Sequence, residues 1–444
     1  MSLVETRSRP LLGLILTGQF MAILDVSIVN VAAPTIQADL AASGAELQLI
    51  VAGYTIAYAM LLVTGARLGG RSGYRRWFLA GLAVFTVASL LCGIAPGAAA
   101  LVAFRLLQGA GAALMVPQVL SLIQVAVPQA GRARALGIYA AVISLAAVGG
   151  QILGGLLVTL DLFGTSWRPI FLVNVPIGLV LLWLGARNLP ADEPRPGRGL
   201  DLPGLLTLSL ATSLVVVPLV LERGWAVMIA GGLVFAGFVV IQRRVAHPLI
   251  PGHLLRVPGL VAAGVAIFGV MAVYGGFLFS NALHLQNDLR DSPIRAGLTF
   301  VPMAAAFALV SLNWKRVPAR LHRRLIVSSS VVVALGLVAL AAVFSGGGHG
   351  LPYLLIVLAV IGAGMAGAFS PLMTVALARV APADAPDASG LLAMMLQLGQ
   401  VVGVAAFGTL FLSSGSISIT MVCLAATAFA SAVAASATSP SATR

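Results

Sequence analysis

Apolar residues in this chain come in runs of about 20, each closed by a short cluster of Gly, Pro, Arg, Asp or Ser. A helix needs a run of about that length to cross a hydrocarbon layer roughly 30 Å thick. Fourteen runs can be marked, at approximately 11–33, 46–66, 77–95, 100–124, 134–158, 168–187, 200–221, 225–242, 257–283, 294–313, 325–344, 351–378, 388–411 and 416–437. The pattern predicts an all-α polytopic membrane protein, because a membrane barrel would need alternating strands of about ten residues instead. The tightest breaks, Pro96–Gly97, Glu222–Gly224 and Ser413–Gly415, decide the number of spans.

Composition agrees with this class. The 444 residues are 60% hydrophobic and only 9% charged, against roughly a quarter charged in a soluble domain. So few polar groups cannot coat a water-exposed surface of this size. Basic residues then orient the chain, since Lys and Arg accumulate on the cytoplasmic side. With the N-terminus inside, 21 of the 26 basic residues fall on the inner side. Arg168, Arg223, Arg290 and Arg295 fall outside, and Arg105 lies within a run. An even number of spans with both termini cytoplasmic follows. The net charge of +13 is then expected to face anionic lipid headgroups rather than nucleic acid. Cys92 and Cys423 lie singly in apolar runs, which argues against disulfide or metal chemistry, and no cofactor is expected. The first run reads as an uncleaved signal and residues 438–444 as a short disordered tail.

Five His and 13 acids, mostly in loops, do not form the cluster a membrane enzyme would need, and no filter sequence suggests a channel. A carrier for small molecules is the remaining reading, and polar residues inside the runs are its candidate machinery. Asp25 lies near the middle of the first run, in GQFMAILDVSIVNVAAPTI, with Asn30 five residues on. A carboxylate there can alternate between charged and neutral forms as water access changes, which proton coupling requires. Arg105, in FRLLQGAGAALMVP with Gln108 after it, is either an interfacial anchor that snorkels or a buried cation paired with a carboxylate, for which Asp25 is the partner to test. Gln19, Tyr54, Tyr58, Gln118 and Gln151 could line a cavity or simply bond neighbouring helices. Asn281, His284 and Gln286, with Tyr274, approach the outer end of the ninth run, where solvent access makes polar groups cheap. Glu222 beside Arg223 reads as an outer-loop ion pair. Gly137, Gly149, Gly150, Gly154 and Gly155 in the fifth run predict a close helix crossing, static or mobile.

At these residues the chain resembles the major facilitator superfamily, and within it the fourteen-span drug:proton antiporter branch. LDVSIVNVAAPTI resembles the branch's first-span motif, RLLQGAGAALMVP the fourth-span Arg motif, and GQILGG at 150–155 part of the antiporter motif. WRPIFLVNVPIG at 167–178 and HLQNDLRDSPIRAGLTFVP are similar to the sixth-span entry and the start of the second half. The resemblance implies a six-helix bundle over residues 1–187, a linker with two extra helices over 188–252, a second bundle over 253–437, and a tail at 438–444. It implies a bacterial cytoplasmic membrane protein, a functional monomer, that exports amphipathic organic compounds against proton entry by alternating access. It makes Asp25 and Arg105 the proton-coupling pair, and Gly150, Gly154 and Gly155 the tight-packing positions. Arg67, Leu68, Arg71, Gly73 and Arg75 would lock an inner gate. Three departures stand out: Gly70 replaces the acid of the gate loop, Gln151 replaces the antiporter proline, and NWKRVPARLHRR lacks an acidic counterpart. The alternatives are a dedicated exporter of one metabolite or antibiotic, and a non-transporting receptor or scaffold.

Overall fold

The computed structural model describes residues 3–127, 129–190, 201–220, 225–245, 248, 250–345, 351–377, 380–381 and 384–437. Glu222 and Arg223 lie outside the described residues, as does the tail at 438–444. Helices stand at all fourteen apolar runs. Eleven of the described helical segments are long and apolar enough to cross a membrane, and shorter apolar helices lie at Gly149–Leu160, Pro203–Val215 and Ala226–Gln242. Large apolar side chains also point outward, among them Leu206 (67% exposed), Leu233 (70%) and Leu335 (65%). Such surfaces suit lipid rather than water.

The chain divides into two compact units, Met1–Asp201 and Leu202–Arg444. In the first, the helices are α1 (Leu3–Leu40), α2 (Gly44–Ser72), α3 (Tyr74–Gly93), α4 (Ala98–Ala126), α5 (Gln129–Leu160), α6 (Pro169–Leu172) and α7 (Asn174–Asn188). Short polar signals set their ends. Ser43 and Glu46 form a capping box at the start of α2, with Ser43 N–H donating to Glu46 Oε2 (2.9 Å) and Glu46 N–H to Ser43 Oγ (3.2 Å). Gly73, at φ 113°, joins α2 to α3, a conformation open to a residue without Cβ. The sixth run breaks at Val173 between α6 and α7. Pro176 follows there, and without an N–H it cannot bond the Leu172 carbonyl. Asn174 therefore sits at the start of a new helix.

Glycines let α4 wedge between its neighbours. Any Cβ on Gly65 or Gly109 would strike the facing backbone at the α2–α4 crossing, at Ala113 and Tyr54 respectively. Gly81 and Gly111 bring α3 and α4 equally close, since a Cβ on Gly111 would lie 2.6 Å from Phe85 N. Helices that share an apolar solvent gain no hydrophobic drive from meeting, so close van der Waals approach is what holds them. Phe78, Leu82, Phe85, Met115 and Val119 fill the seam behind these glycines.

The second unit contains α8 (Leu202–Val220), α9 (Trp225–Gln242), α10 (Leu260–Leu283), α11 (Pro293–Thr299), α12 (Val301–Asn313), α13 (His322–Ser345), α14 (Leu351–Leu377), α15 (Ala385–Ser414) and α16 (Ile417–Ser436). Here α10 packs along α15 and α16, α13 joins α14 and α16, and α12 lies on α14. The same device closes these seams: Gly399 and Gly403 on α15 press on the carbonyls of Phe268 and Ala272 on α10. The α8–α9 pair packs on itself and, through α8, on α15. A π-helical turn, His284–Asp288, continues α10.

Candidate functional site

Asp25 and Arg105 meet in the interior of the first unit. Their side chains are 0% and 1% exposed and form an ion pair through Asp25 Oδ2 and an Arg105 terminal nitrogen. Each group reaches this point because a different helix carries it. Asp25 rides on α1, and α4 supplies Arg105 and, one turn on, Gln108, whose Nε2 donates to Asp25 Oδ1 (2.7 Å). Asn174, at the start of α7, donates to the same oxygen (3.2 Å). From α2 the Ile50 carbonyl accepts from Arg105 Nε (3.0 Å). From α3 the Ser89 hydroxyl accepts from Gln108 Nε2 (2.9 Å).

The guanidinium is further held by Gln108 Oε1 (2.6 Å) and by aromatic faces, with its carbon 4.9 Å from the Tyr54 ring centre and 5.6 Å from that of Phe171. Tyr54 is itself pinned by donating to the Ala22 carbonyl (3.0 Å), one turn below Asp25, and Tyr58 stacks on it at 6.1 Å. A buried pair of opposite charges survives in apolar surroundings only when its remaining donors and acceptors are satisfied; here α1, α2, α3, α4 and α7 all contribute. Arg105 is thus a buried partner and not a snorkelling anchor.

The chemical consequence lies in Asp25 Oδ2. A proton placed on that oxygen would compete with the Arg105 nitrogen, while Gln108 and Asn174 reach Oδ1 and Arg105 also bonds Ile50 and Gln108. The fifth-run glycines face this same turn of α1. A Cβ on Gly150 would lie 2.8 Å from the Leu24 carbonyl and 2.6 Å from Ser27 Cβ, and one on Gly154 would lie 2.9 Å from the Ile28 carbonyl. Gly155 is buried beside them. The helix across from Asp25 therefore packs directly on the α1 backbone at this turn.

Other sequence candidates separate into structural and open groups. Asn30 Nδ2 bonds the Val26 carbonyl of its own helix (2.8 Å), and Gln118 Nε2 bonds the Gly65 carbonyl across the α2–α4 crossing (2.7 Å). Gln19 and Gln151 are buried, each with a carbonyl oxygen that meets no partner among the described residues. At the inner-gate segment, Arg71 is exposed and Arg67 half-buried. Arg75 donates to the Ala186 carbonyl in the last turn of α7 (2.5 Å), a helix end that favours cations. A Cβ on Gly70 would meet nothing within 4 Å, so packing does not explain the missing acid there.

In the second unit the expectation of cheap, solvent-reached polar groups is wrong for Asn281 and His284, which are 0% and 7% exposed. The packing of α10 against α15 and the rings of Phe344 and Phe411 cover them. Gln286 is half-buried in the π-helical turn.

Three contributors were not singled out from the sequence. Asn174 carried a signal, a lone amide in the apolar run WRPIFLVNVPIG. Ser89 carried none, because a Ser in an apolar helix ordinarily bonds its own backbone, as this one also does to Phe85 (2.8 Å). Asp39, at the end of α1, accepts from Trp167 Nε1 (2.8 Å) and Arg168 (2.9 Å), clasping α1 to the entry of α6.

The chain is similar to known transport proteins. The Probable actinorhodin transporter of Streptomyces coelicolor is 39% identical over 418 residues, covering 90% of this chain and 72% of that protein. The Cephamycin export protein CmcT of Amycolatopsis lactamdurans is 39% identical, covering 88% and 82%. The Multidrug resistance protein Stp of Mycobacterium tuberculosis is 35% identical, covering 90% and 75%. Among solved structures, a bacterial homolog of the human lysosomal transporter Spinster shares the fold at TM-score 0.69 and 15% identity, covering 96% of both chains. A POT family transporter in complex with a thioalcohol-conjugated peptide shares it at TM-score 0.70 and 15% identity, covering 95% and 94%. The Major Facilitator Superfamily model matches residues 15–281 and again 263–442, so this multi-pass, all-helical chain belongs to that superfamily and is a membrane transporter rather than an enzyme.

Proposed function

We propose that this transporter exports small amphipathic organic compounds across a bacterial cytoplasmic membrane in exchange for protons. In this reading it has fourteen spans, both termini cytoplasmic, and acts as a monomer. The observation that carries the reading is the fully buried Asp25–Arg105 pair, a titratable carboxylate held inside a membrane-spanning helix bundle. A titratable group inside a span is costly unless it has a task, and this one joins α1 to α4 and α7, while its partner Arg105 also bonds α2.

The cycle runs as a shift between two states. With Asp25 ionised, the pair holds α1 against α4 and the carrier accepts substrate from the cytoplasm. Outside, substrate leaves and a proton takes Oδ2. The pair opens, and α1 moves along the Gly150–Gly154 face of α5 as the carrier returns. Loss of the proton to the cytoplasm closes the pair again. The relatives named for one compound each, the Probable actinorhodin transporter and the Cephamycin export protein, favour a second version in which the same cycle serves a narrow substrate set.

In everted membrane vesicles the exporter should take up ethidium when a pH gradient is imposed. Nigericin, which dissipates the pH gradient, is expected to stop that uptake, whereas valinomycin, which dissipates the potential, should leave most of it. Uptake indifferent to nigericin would contradict proton exchange.

A further inference from the structure

A second set of polar groups lies in the other unit, remote in sequence from Asp25 and Arg105. Asn281 and His284 stand one turn apart on one face of the helix, at the point where α10 passes into the π-helical turn His284–Asp288. Turns of this kind interrupt regular helices mostly at functional positions. Asn281 is wholly buried, and neither its Nδ2 nor its Oδ1 meets a partner among the described residues; His284 Nε2 is buried in the same condition. Buried amide and imidazole groups left in this way are destabilising by about a lost hydrogen bond each. A purely structural site would be filled more cheaply by Leu and Phe.

The surroundings define what these groups can bind. His284 Nδ1 lies 2.6 Å from Asp288 Oδ2. A carboxylate accepts, so Nδ1 carries the proton, and in the neutral ring Nε2 is an acceptor. Asn281 adds two donors and an acceptor on the same face. Aromatic rings pack about the pair: Phe344 lies 4.5 Å from the His284 ring, Phe411 lies 6.4 Å from it, and Phe277, one turn before Asn281, meets Phe300 at 6.2 Å. Nearby charges are already engaged, Asp288 by His284 and Asp291 by Arg295 (3.0 Å).

We infer that Asn281 and His284 form a directional recognition site for neutral aromatic compounds that carry a hydroxyl or amide N–H donor together with a carbonyl acceptor. The donor meets His284 Nε2 and the carbonyl meets the Asn281 amide, while the phenylalanine rings hold the planar body. The site gives the exporter a hydrogen-bond test of its cargo, where an all-apolar cavity would sort by size alone. The inference rests on the carrier reading in calling the bound compound cargo, and its test does not depend on transport.

The probes are 7-hydroxycoumarin and coumarin, which differ by one hydroxyl, at a pH where the phenol is neutral. Equilibrium dialysis with the purified full-length protein should show about tenfold tighter binding of 7-hydroxycoumarin, the effect of one or two neutral hydrogen bonds. His284→Phe should remove most of that preference while coumarin binding is unchanged, and Asn281→Leu, which loses the bond to the carbonyl that both probes carry, should weaken both probes about equally; each variant is checked for folding by thermal unfolding. His284→Phe stands as the independent test should the Asn281 variant not fold. Equal binding of both probes, binding of neither, a preference that survives His284→Phe, or binding of both probes unchanged by Asn281→Leu overturns the assignment. Wild-type proteoliposomes that move no compound, from a protein that keeps the preference in dialysis, would set aside the carrier reading and leave the site standing.

Discussion

Asp25→Asn is expected to reduce gradient-driven export by at least about 100-fold, because the variant has no carboxylate with which to exchange a proton. Asparagine keeps the shape of the Asp25 side chain and can still accept from Gln108 and Asn174, but it leaves the Arg105 cation buried without its carboxylate, so export is expressed per folded protein recovered. What it cannot do is exchange a proton at the oxygen now bonded to Arg105. Exchange of labelled for unlabelled ethidium across the membrane needs no net proton movement, and that activity should persist. Measuring both in proteoliposomes separates the cases. Loss of exchange together with driven export would make Asp25 a structural carboxylate, and retention of both would move coupling to another residue.

Arg105→Ala should do more damage to the fold than any loss of surface charge. It leaves the Asp25 carboxylate buried without its cation, and breaking one side of a buried pair destabilises by about 3–5 kcal/mol. It also frees the Ile50 carbonyl and removes the contact with the Tyr54 and Phe171 rings. Combining it with Asp25→Ala removes the stranded charge, so the double variant should recover much of the lost thermal stability while remaining inactive. Thermal unfolding of the two single variants and the double variant in detergent gives the coupling directly. Additive losses would mean that the two side chains do not act as a pair, contrary to the geometry.

The positions of the helices were legible because a bilayer imposes a coarse rule of about 20 apolar residues per crossing. The Asp25–Arg105 pair was legible for a related reason, as two charges deep in apolar runs have few partners besides each other. Gly150 and Gly154 could be read as a close seam but not assigned to α1, because the sequence does not say which helix lies opposite. Asn281 and His284 were misplaced for the converse reason. Their position near the end of a run suggested solvent, and only the packing of α15 and the Phe344 ring shows that they are covered. Ser89 was invisible because its role depends on the register between α3 and α4. The gate residues remain the least distinctive, since Arg67, Arg71 and Arg75 would be basic in any cytoplasmic loop.

Reconstituted wild-type protein offers the most direct measurement of proton exchange. Proteoliposomes holding a pH-sensitive dye are prepared without an imposed gradient, and ethidium, 7-hydroxycoumarin or benzoate is added outside. Inward movement of a transported compound should drive protons out and make the lumen alkaline, in proportion to the compound taken up and only when the protein is present. Uptake of a compound with no change in lumenal pH would contradict proton exchange and leave the Asp25–Arg105 pair as a structural clasp.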